Sequence, residues 1–251
     1  MLDSTTLLKT IERAVEHLVR PHRTVGVAYS GGLDSSVIAA LASRHTEATC
    51  YSACVKGSHD AEHVHAFARA DGFDVKILEL TDDDIPELAR LARSVLLTTD
   101  PVRISYTMPS LRVIEGAIEP AVLVGSIADE IFAGYAKYES VDNVSEVMAL
   151  DLEKALHETR LLSQYAEKRH KILLAPYADT AVIEASSQVA LEDMLGPEGR
   201  KLILRECADM IGLEASARPK KAAQYSSGVS KAMKRLAKAE GNTVGEWVLG
   251  L

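Results

Sequence analysis

With 251 residues, a charged fraction of 25% and a net charge of −8 at pH 7, the chain has the composition of a globular protein. It is long enough for one α/β domain, or for one domain with a helical extension. The acidic balance argues against nucleic-acid binding through the whole surface. No apolar run reaches the roughly 18 residues of a membrane span, and three cysteines argue against a disulfide framework. The acidic, amphipathic N-terminus does not resemble a targeting signal, so the prediction is a cytoplasmic protein.

The first half of the chain alternates between short apolar runs and longer amphipathic patterns. Runs rich in β-branched residues predict strands at 24–29, 48–55, 75–80 and 121–125. Apolar residues at helical spacing predict helices at 4–19, 35–43, 59–70, 84–97 and 107–118. This order predicts an α/β fold with a mainly parallel sheet covered on both faces by helices. Ligands of such sheets lie beyond the carboxyl ends of the strands.

After Tyr138 the pattern changes, because apolar runs of strand length become rare. Helical patterns dominate at 144–170, 179–195, 197–211 and 228–239. These features predict a C-terminal helical lobe that packs on the sheet. We therefore expect an α/β domain at 1–140 and a helical region at 141–251 that completes the ligand site at the edge of the sheet.

The stretch VGVAYSGGLDSS, residues 25–36, joins the first predicted strand to a helix. Glycines in such a turn let backbone N–H groups surround an anion, and the helix N-terminus adds partial positive charge. Asp34 is repelled by phosphate unless a cation lies between them, and Mg²⁺ suits that place because it takes one or two carboxylates plus phosphate oxygens. The predicted nucleotide-binding residues of this loop are Ser30, Gly31, Gly32, Asp34, Ser35 and Ser36. Taken alone, the loop is also compatible with an ordinary strand–turn–helix connection.

The motif SGGLDSS resembles the signature of the PP-loop ATP pyrophosphatases, the adenine nucleotide alpha hydrolase-like superfamily with a HUP-like fold. The resemblance implies ATP as the cofactor and cleavage between its α- and β-phosphates, which leaves AMP on a carboxyl or carbonyl oxygen. The loop lacks the GxxxxGK[ST] pattern that is typical of γ-phosphate transfer.

The stretch LVGSIADEIFAGY, residues 123–135, resembles the second signature of the asparagine synthetase synthetase domain, LSGEGADELFGGY. The residues shared with that signature are Gly125, Ala128, Asp129, Glu130, Phe132, Gly134 and Tyr135. In that family the aspartate of ADE joins the loop aspartate on magnesium. The resemblance therefore implies that Asp34 and Asp129 are the Mg²⁺ ligands and that Gly125 belongs to the nucleotide site. An acidic pair that complements a helix dipole is the alternative interpretation of Asp129 and Glu130.

Further segments resemble the same family in the same order. The stretch beginning YSACVKG implies that backbone near Val55 meets adenine, and KLILRECADMIG resembles the family's K-x-x-L-R segment. In ARPKK, the R-x-K resemblance implies that Lys220 contacts the leaving pyrophosphate, with Arg218 beside it and Lys221 as a less favoured substitute. Residues 217–238 carry seven Lys or Arg and no acid. A solvated amphipathic helix is the alternative interpretation of that basic segment.

The sequence departs from the family pattern at residues that the family uses for acyl transfer. Ser126 and Ile127 replace the glutamate and glycine of S-G-E-G, and the chain does not begin Met-Cys. That glutamate belongs to the family's acyl-transfer site, so aspartate does not follow as the substrate. The expected nitrogen source is ammonia, a separate glutaminase subunit or an amine on a substrate. A homo-oligomer is an open expectation.

The leading hypothesis is an AMP-forming ligase of the asparagine synthetase type, with a small-molecule carboxylate as substrate. Lys220, Asp129 and Asp34 are its predicted catalytic residues, and ATP and Mg²⁺ its cofactors. One alternative is a PP-loop enzyme that adenylates an RNA base for thiolation or amination, although a nucleic-acid partner is not the first expectation. The other is a non-catalytic nucleotide-binding subunit of a larger synthetase.

Overall fold

The computed structural model describes residues 2–218 and 227–251. Five strands form one sheet, and all of its pairings are parallel. They are β1 (Thr24–Ala28), β2 (Glu47–Val55), β3 (Val75–Leu80), β4 (Ala121–Leu123) and β5 (Ile172–Leu174). The spatial order is β3-β2-β1-β4-β5. The chain therefore builds outward from β1 in one direction and then returns to build on its other side, so that the switch point lies between β1 and β4.

Helices connect the strands. The first six are α1 (Ser4–Val19), α2 (Leu33–Ala42), α3 (His59–Ala70), α4 (Asp84–Leu96), α5 (Pro101–Gly116) and α6 (Ala128–Ile131). The six that follow within the described residues are α7 (Val144–Lys168), α8 (Thr180–Ser187), α9 (Leu191–Met194), α10 (Leu202–Met210), α11 (Val229–Ala239) and α12 (Val244–Gly250). A short antiparallel pair, β6 (Leu195–Gly196) and β7 (Gly199–Arg200), precedes α10.

Side chains alternate between the two faces of the sheet and pack into two large apolar cores and one smaller cluster. On one face, Val25, Val27 and Leu123 pack with residues of α1, α2, α3, α8 and α10. On the other face, a second core unites α4, α5, α7, α11 and α12. The predicted α/β class, with a mainly parallel sheet covered on both faces, is confirmed.

The four predicted strands are present, with ends that differ by up to two residues. The sequence analysis did not predict β5, which lies within the region expected to be helical and joins the main sheet beside β4. The division at residue 140 stays a prediction, but this strand shows that residues beyond 140 contribute to the sheet.

Two helix predictions differ from the structure for local reasons. Helix α5 begins at Pro101, capped by the Asp100 carboxylate, and runs through Pro109, whereas a helix at 107–118 was expected. Pro109 removes one backbone hydrogen bond, but buried neighbours such as Met108 and Leu111 hold the helix in place. The helices predicted at 179–195 and 197–211 are separated by the β6–β7 pair, where glycine and proline disfavour helix.

Within residues 2–218 and 227–251, none of the helices has the length and apolar character that crossing a bilayer requires.

Trp247 anchors α12 to the second core. Its side chain is buried, and its ring N–H donates to the Glu240 carboxylate at 3.1 Å. We expect Trp247→Ala to lower the free energy of unfolding by about 3–5 kcal/mol, because it removes a large buried side chain and leaves a cavity. Urea denaturation measures this loss. Leu249→Ala, at a side chain that is 60% exposed, is the matched control and should change stability by less than about 0.5 kcal/mol. Equal losses of unfolding free energy in the two variants would show that Trp247 does not anchor α12.

Candidate active site

The phosphate loop leads from the carboxyl end of β1 into α2. Gly31 has φ +72°, and a Cβ there would lie 2.7 Å from the Phe67 ring, so both the turn and the close packing favour glycine. Gly32 is the N-cap of α2 and has no side chain to satisfy the N–H groups of the first turn. These N–H groups have no intrahelical acceptor, so the loop presents donors and the positive end of a helix dipole to an anion.

The hydroxyl groups of two loop serines, Ser30 and Ser35, contact one another. The Ser35 hydroxyl donates to the carbonyl of Gly32 at 3.1 Å and lies 3.3 Å from the Ser30 hydroxyl. Ser30 itself is exposed, and its hydroxyl also accepts from the Gly32 N–H at 3.3 Å. Ser30 therefore lies at the surface of the loop, while Ser35 maintains the shape of the turn.

The buried carboxylate of Asp71 braces the phosphate loop from its inner side. The side chain of Asp71 is fully buried and accepts from Ser36 at 2.9 Å, from Tyr29 at 3.1 Å and from Arg218 at 2.8 Å. Arg218 also donates to the carbonyl of Gly31 at 2.9 Å. Two residues considered for the anion site, Ser36 and Arg218, therefore contact this carboxylate. The Ser36 hydroxyl faces Asp71, and the Arg218 guanidinium is engaged by the protein instead of facing an anion.

At the switch point, one ammonium group joins two carboxylates. Lys201 Nζ lies 2.6 Å from Asp34 Oδ1, at the start of α2, and 2.6 Å from Asp129 Oδ1, in α6 after β4. The predicted pair Asp34 and Asp129 is thus brought together, and the two side chains are about one quarter exposed. Lys201 is 2% exposed. Burial lowers the pKa of its ammonium, and the Asp34 carboxylate acts in the opposite direction.

Three features of the backbone make room for this bridge. Lys201 adopts a left-handed conformation, φ +57°, immediately before α10. At Gly134, a Cβ would overlap both the Asp129 carboxylate and the Lys201 side chain. At Gly125, a Cβ would lie 3.2 Å from the Cβ of Asp34, so the chain after β4 passes close to the phosphate loop. Gly125 therefore supports Asp34 by close packing.

The donor set fits a cation. Two carboxylate oxygens from the ends of adjacent strands converge on a single positive group, and one or two carboxylates plus phosphate oxygens are what Mg²⁺ takes in nucleotide sites. No cluster of three or more His, Cys, Asp or Glu suited to a metal occurs among the described residues. Asp34 and Asp129 would therefore hold Mg²⁺ together with ligand oxygens rather than as a complete protein cage.

One of the two replaced positions of the second motif, Ile127, is strained and buried. Ile127 has φ +82°, which is unusual for a β-branched residue, and it packs in the core on the α1–α2 face. The next carboxylate, Glu130, is buried and accepts from the Tyr135 hydroxyl at 2.6 Å. Burial raises the pKa of Glu130, and the Tyr135 hydrogen bond opposes that change. Ser126 is half-buried between β4 and this segment.

Of the remaining predicted site residues, one lies at the end of β2 and two lie outside the described part of the chain. Val55 ends β2, and its N–H donates to the carbonyl of Ser227 at 2.8 Å, so that backbone group is already used within the protein. Lys220 and Lys221 lie outside the described residues.

Sequence reasoning missed Lys201 and Asp71. Lys201 is the first residue of the K-x-x-L-R resemblance, which was the available signal, but no role followed from it. Asp71 follows α3 in an ordinary polar turn, and no local pattern distinguishes it from other surface acids.

Gly134→Ala tests whether space at this glycine permits the bridge. We expect a loss of about 1–3 kcal/mol in the free energy of unfolding, because the added methyl overlaps Asp129 and Lys201. Gly245→Ala is the matched control, since a Cβ there meets no atom within 4 Å and lies in a helix, where alanine is favoured. Urea denaturation compares the two, and a Gly134→Ala protein as stable as the control would refute the tight packing.

Asp71→Asn tests the brace. The asparagine keeps the size of the side chain but leaves the Arg218 charge without its carboxylate, and breaking a buried ion pair in this way costs about 3–5 kcal/mol. Thermal and urea unfolding measure the loss. Asp74→Asn, at an exposed position three residues later, is the control and should be close to neutral. A neutral Asp71→Asn variant would show that the brace contributes little.

The sequence of this chain is similar to those of known asparagine synthetases. The family model for asparagine synthase matches residues 6–173, about two thirds of the chain. A putative glutamine-hydrolyzing asparagine synthetase 1 of Methanocaldococcus jannaschii is 25% identical over 93% of this chain and 51% of its own length. Asparagine synthetase B of Escherichia coli K12 is 23% identical over 90% of this chain and 46% of its own. The chain thus spans about half the length of these relatives.

Two solved structures are also similar. The U34-tRNA thiolase NcsA from Methanococcus maripaludis aligns over 98% of this chain and 78% of its own, with a TM-score of 0.39 and 15% identity. The NMN synthetase from Francisella tularensis aligns over 94% of both chains, with a TM-score of 0.38 and 12% identity. Because the family model matches about two thirds of its residues, the chain belongs to the asparagine synthase family.

Proposed function

We propose that this protein is an ATP-dependent, AMP-forming ligase that adenylates a carboxylate and passes the acyl group to ammonia or an amine. The observation that carries the proposal is the meeting of the phosphate loop with Asp34, Asp129 and Lys201 at the switch point between β1 and β4. Membership of the asparagine synthase family supports it.

In the first step, a carboxylate oxygen of the substrate attacks the α-phosphorus of ATP, the bond to the bridging oxygen of the β-phosphate breaks, and pyrophosphate leaves. The first-turn N–H groups of α2 and the Ser30 hydroxyl bind phosphate oxygens. Asp34 and Asp129 would hold Mg²⁺, which would neutralise part of the phosphate charge. Lys220 is assigned to the leaving pyrophosphate, where a positioned cation stabilises the charge that develops.

In the second step, ammonia or an amine attacks the acyl carbon, AMP leaves with the electron pair of the C–O bond, and the nitrogen loses a proton. The brace of Asp71 and Arg218 fixes Gly31 throughout, so that the α2 N-terminus is already oriented before ATP binds. Because Ser126 stands where the family has glutamate, the proposal assigns no amino-acid substrate.

The decisive measurement is carboxylate-dependent exchange of labelled pyrophosphate into ATP, together with AMP release. We expect exchange with one member of a panel of amino acids and other carboxylates, and AMP release that rises when ammonium or an amine is added. RNA is included in the panel. Exchange with RNA alone would favour the base-modifying alternative, and nucleotide binding without exchange or AMP release would favour the non-catalytic alternative.

Substitutions of the assigned residues should change the rate of pyrophosphate exchange in that assay. Asp34→Asn and Lys220→Ala should each lower exchange by about 10²–10³-fold, the usual effect of removing one electrostatic contact to a transition state. Asp82→Asn and Lys231→Ala are matched controls at exposed positions and should retain exchange within about twofold. Wild-type exchange in Asp34→Asn or Lys220→Ala would remove the role given to that residue.

A further inference from the structure

We propose that Lys201 is a resident cation that keeps free divalent metal out of the Asp34–Asp129 site and yields only to metal that arrives with ATP. The proposal rests on the proposed function for the identity of the nucleotide. Its physical basis is the placement of Lys201 Nζ, which lies 2.6 Å from one oxygen of each carboxylate.

The position of the ammonium is set by the fold rather than by a flexible side chain. Lys201 is 2% exposed, so little of it can move into solvent. Its left-handed backbone directs it from the start of α10, and the absence of a Cβ at Gly134 makes space for its aliphatic stem. Without nucleotide, the two carboxylates therefore already share a positive charge.

A free divalent ion meets two obstacles at this site. If Lys201 stays, its charge repels the ion at short range, where the partly buried surroundings weaken screening. If Lys201 is displaced, a buried ammonium loses its contacts with both carboxylates, which is costly. Either way, binding of the free ion is weakened.

The polyphosphate of ATP removes both obstacles. Phosphate oxygens bound at the N-terminus of α2 would lie near Asp34, which is in the first turn of that helix. An ammonium group has three donors and no acceptor, so Lys201 can turn a donor to phosphate as it gives up a carboxylate oxygen. Negative charge between the two cations also offsets their repulsion. We infer that metal and nucleotide enter this site together.

Manganese binding to the nucleotide-free protein tests the proposal, measured from the free Mn²⁺ signal by electron paramagnetic resonance. Lys201→Met, which keeps the length of the side chain without its charge, should bind one Mn²⁺ about tenfold or more tightly than wild type. Lys231→Met, at an exposed lysine of α11, is the matched control and should behave as wild type. The double variant Asp34→Asn with Lys201→Met should lose the gain, which locates the ion. Mn²⁺ affinity in Lys201→Met equal to or weaker than that of wild type overturns the proposal.

A second measurement covers the case in which Lys201→Met does not fold. Wild type is mixed with α,β-methylene-ATP, which cannot be cleaved between the α- and β-phosphates, and should then bind Mn²⁺ in an amount that exceeds binding to the analogue alone. Without the analogue, Mg²⁺ should leave the Tm of wild type unchanged but raise that of Lys201→Gln. A rise in the wild-type Tm with Mg²⁺ alone overturns the proposal.

Different results would refute the proposed ligase activity and the proposed role of Lys201. Pyrophosphate exchange by wild type with no metal gain in Lys201→Met would retain the proposed function and remove the role of Lys201. A clear metal gain in Lys201→Met without any exchange or AMP release by wild type would retain the resident cation and remove the ligase activity.

Discussion

The contact of one buried ammonium with two carboxylates joins three segments that are far apart along the chain. Lys201 immediately precedes α10, Asp34 is in the first turn of α2 and Asp129 follows β4, so the bridge connects the two halves of the sheet at its switch point. A buried ammonium without partners is costly, and two adjacent carboxylates without a cation repel each other. The three segments therefore stabilise one another only in this arrangement, and the geometry of the candidate site depends on it.

The phosphate loop relies on a second, independent cluster. Asp71 accepts from Tyr29, Ser36 and Arg218, and Arg218 reaches the carbonyl of Gly31. These groups hold the loop from its inner side. The outer side keeps the first-turn N–H groups of α2 and the exposed Ser30, which are the groups that an anion requires. The protein thus separates the residues that shape the loop from those that face a ligand.

Backbone strain is concentrated near the ionic bridge. In the described part of the chain, five non-glycine residues have positive φ, and three of them are Ile127, Ala133 and Lys201. Each such conformation costs on the order of 1–3 kcal/mol and persists only where surrounding contacts impose it. Ile127 and Ala133 flank the short helix that carries Asp129, and both are buried. The packing of this segment therefore offsets strain in order to present a carboxylate to Lys201.

The sequence by itself determined the positions of β1 to β4 and of most helices, because these follow from local periodicity. The resemblance of two motifs also indicated the pairing of Asp34 with Asp129. It did not determine β5, a short strand in a region where helical patterns dominate, or the passage of α5 through Pro109, which surrounding packing permits. Lys201 lies 167 residues from Asp34, and only the strand order brings the two together. The inward direction of Ser36 and the use of Arg218 as a brace likewise depend on Asp71, which no local pattern marks. Tertiary structure decided which charged groups meet, because a buried charge is paired by its neighbours in space and not by its neighbours in the chain.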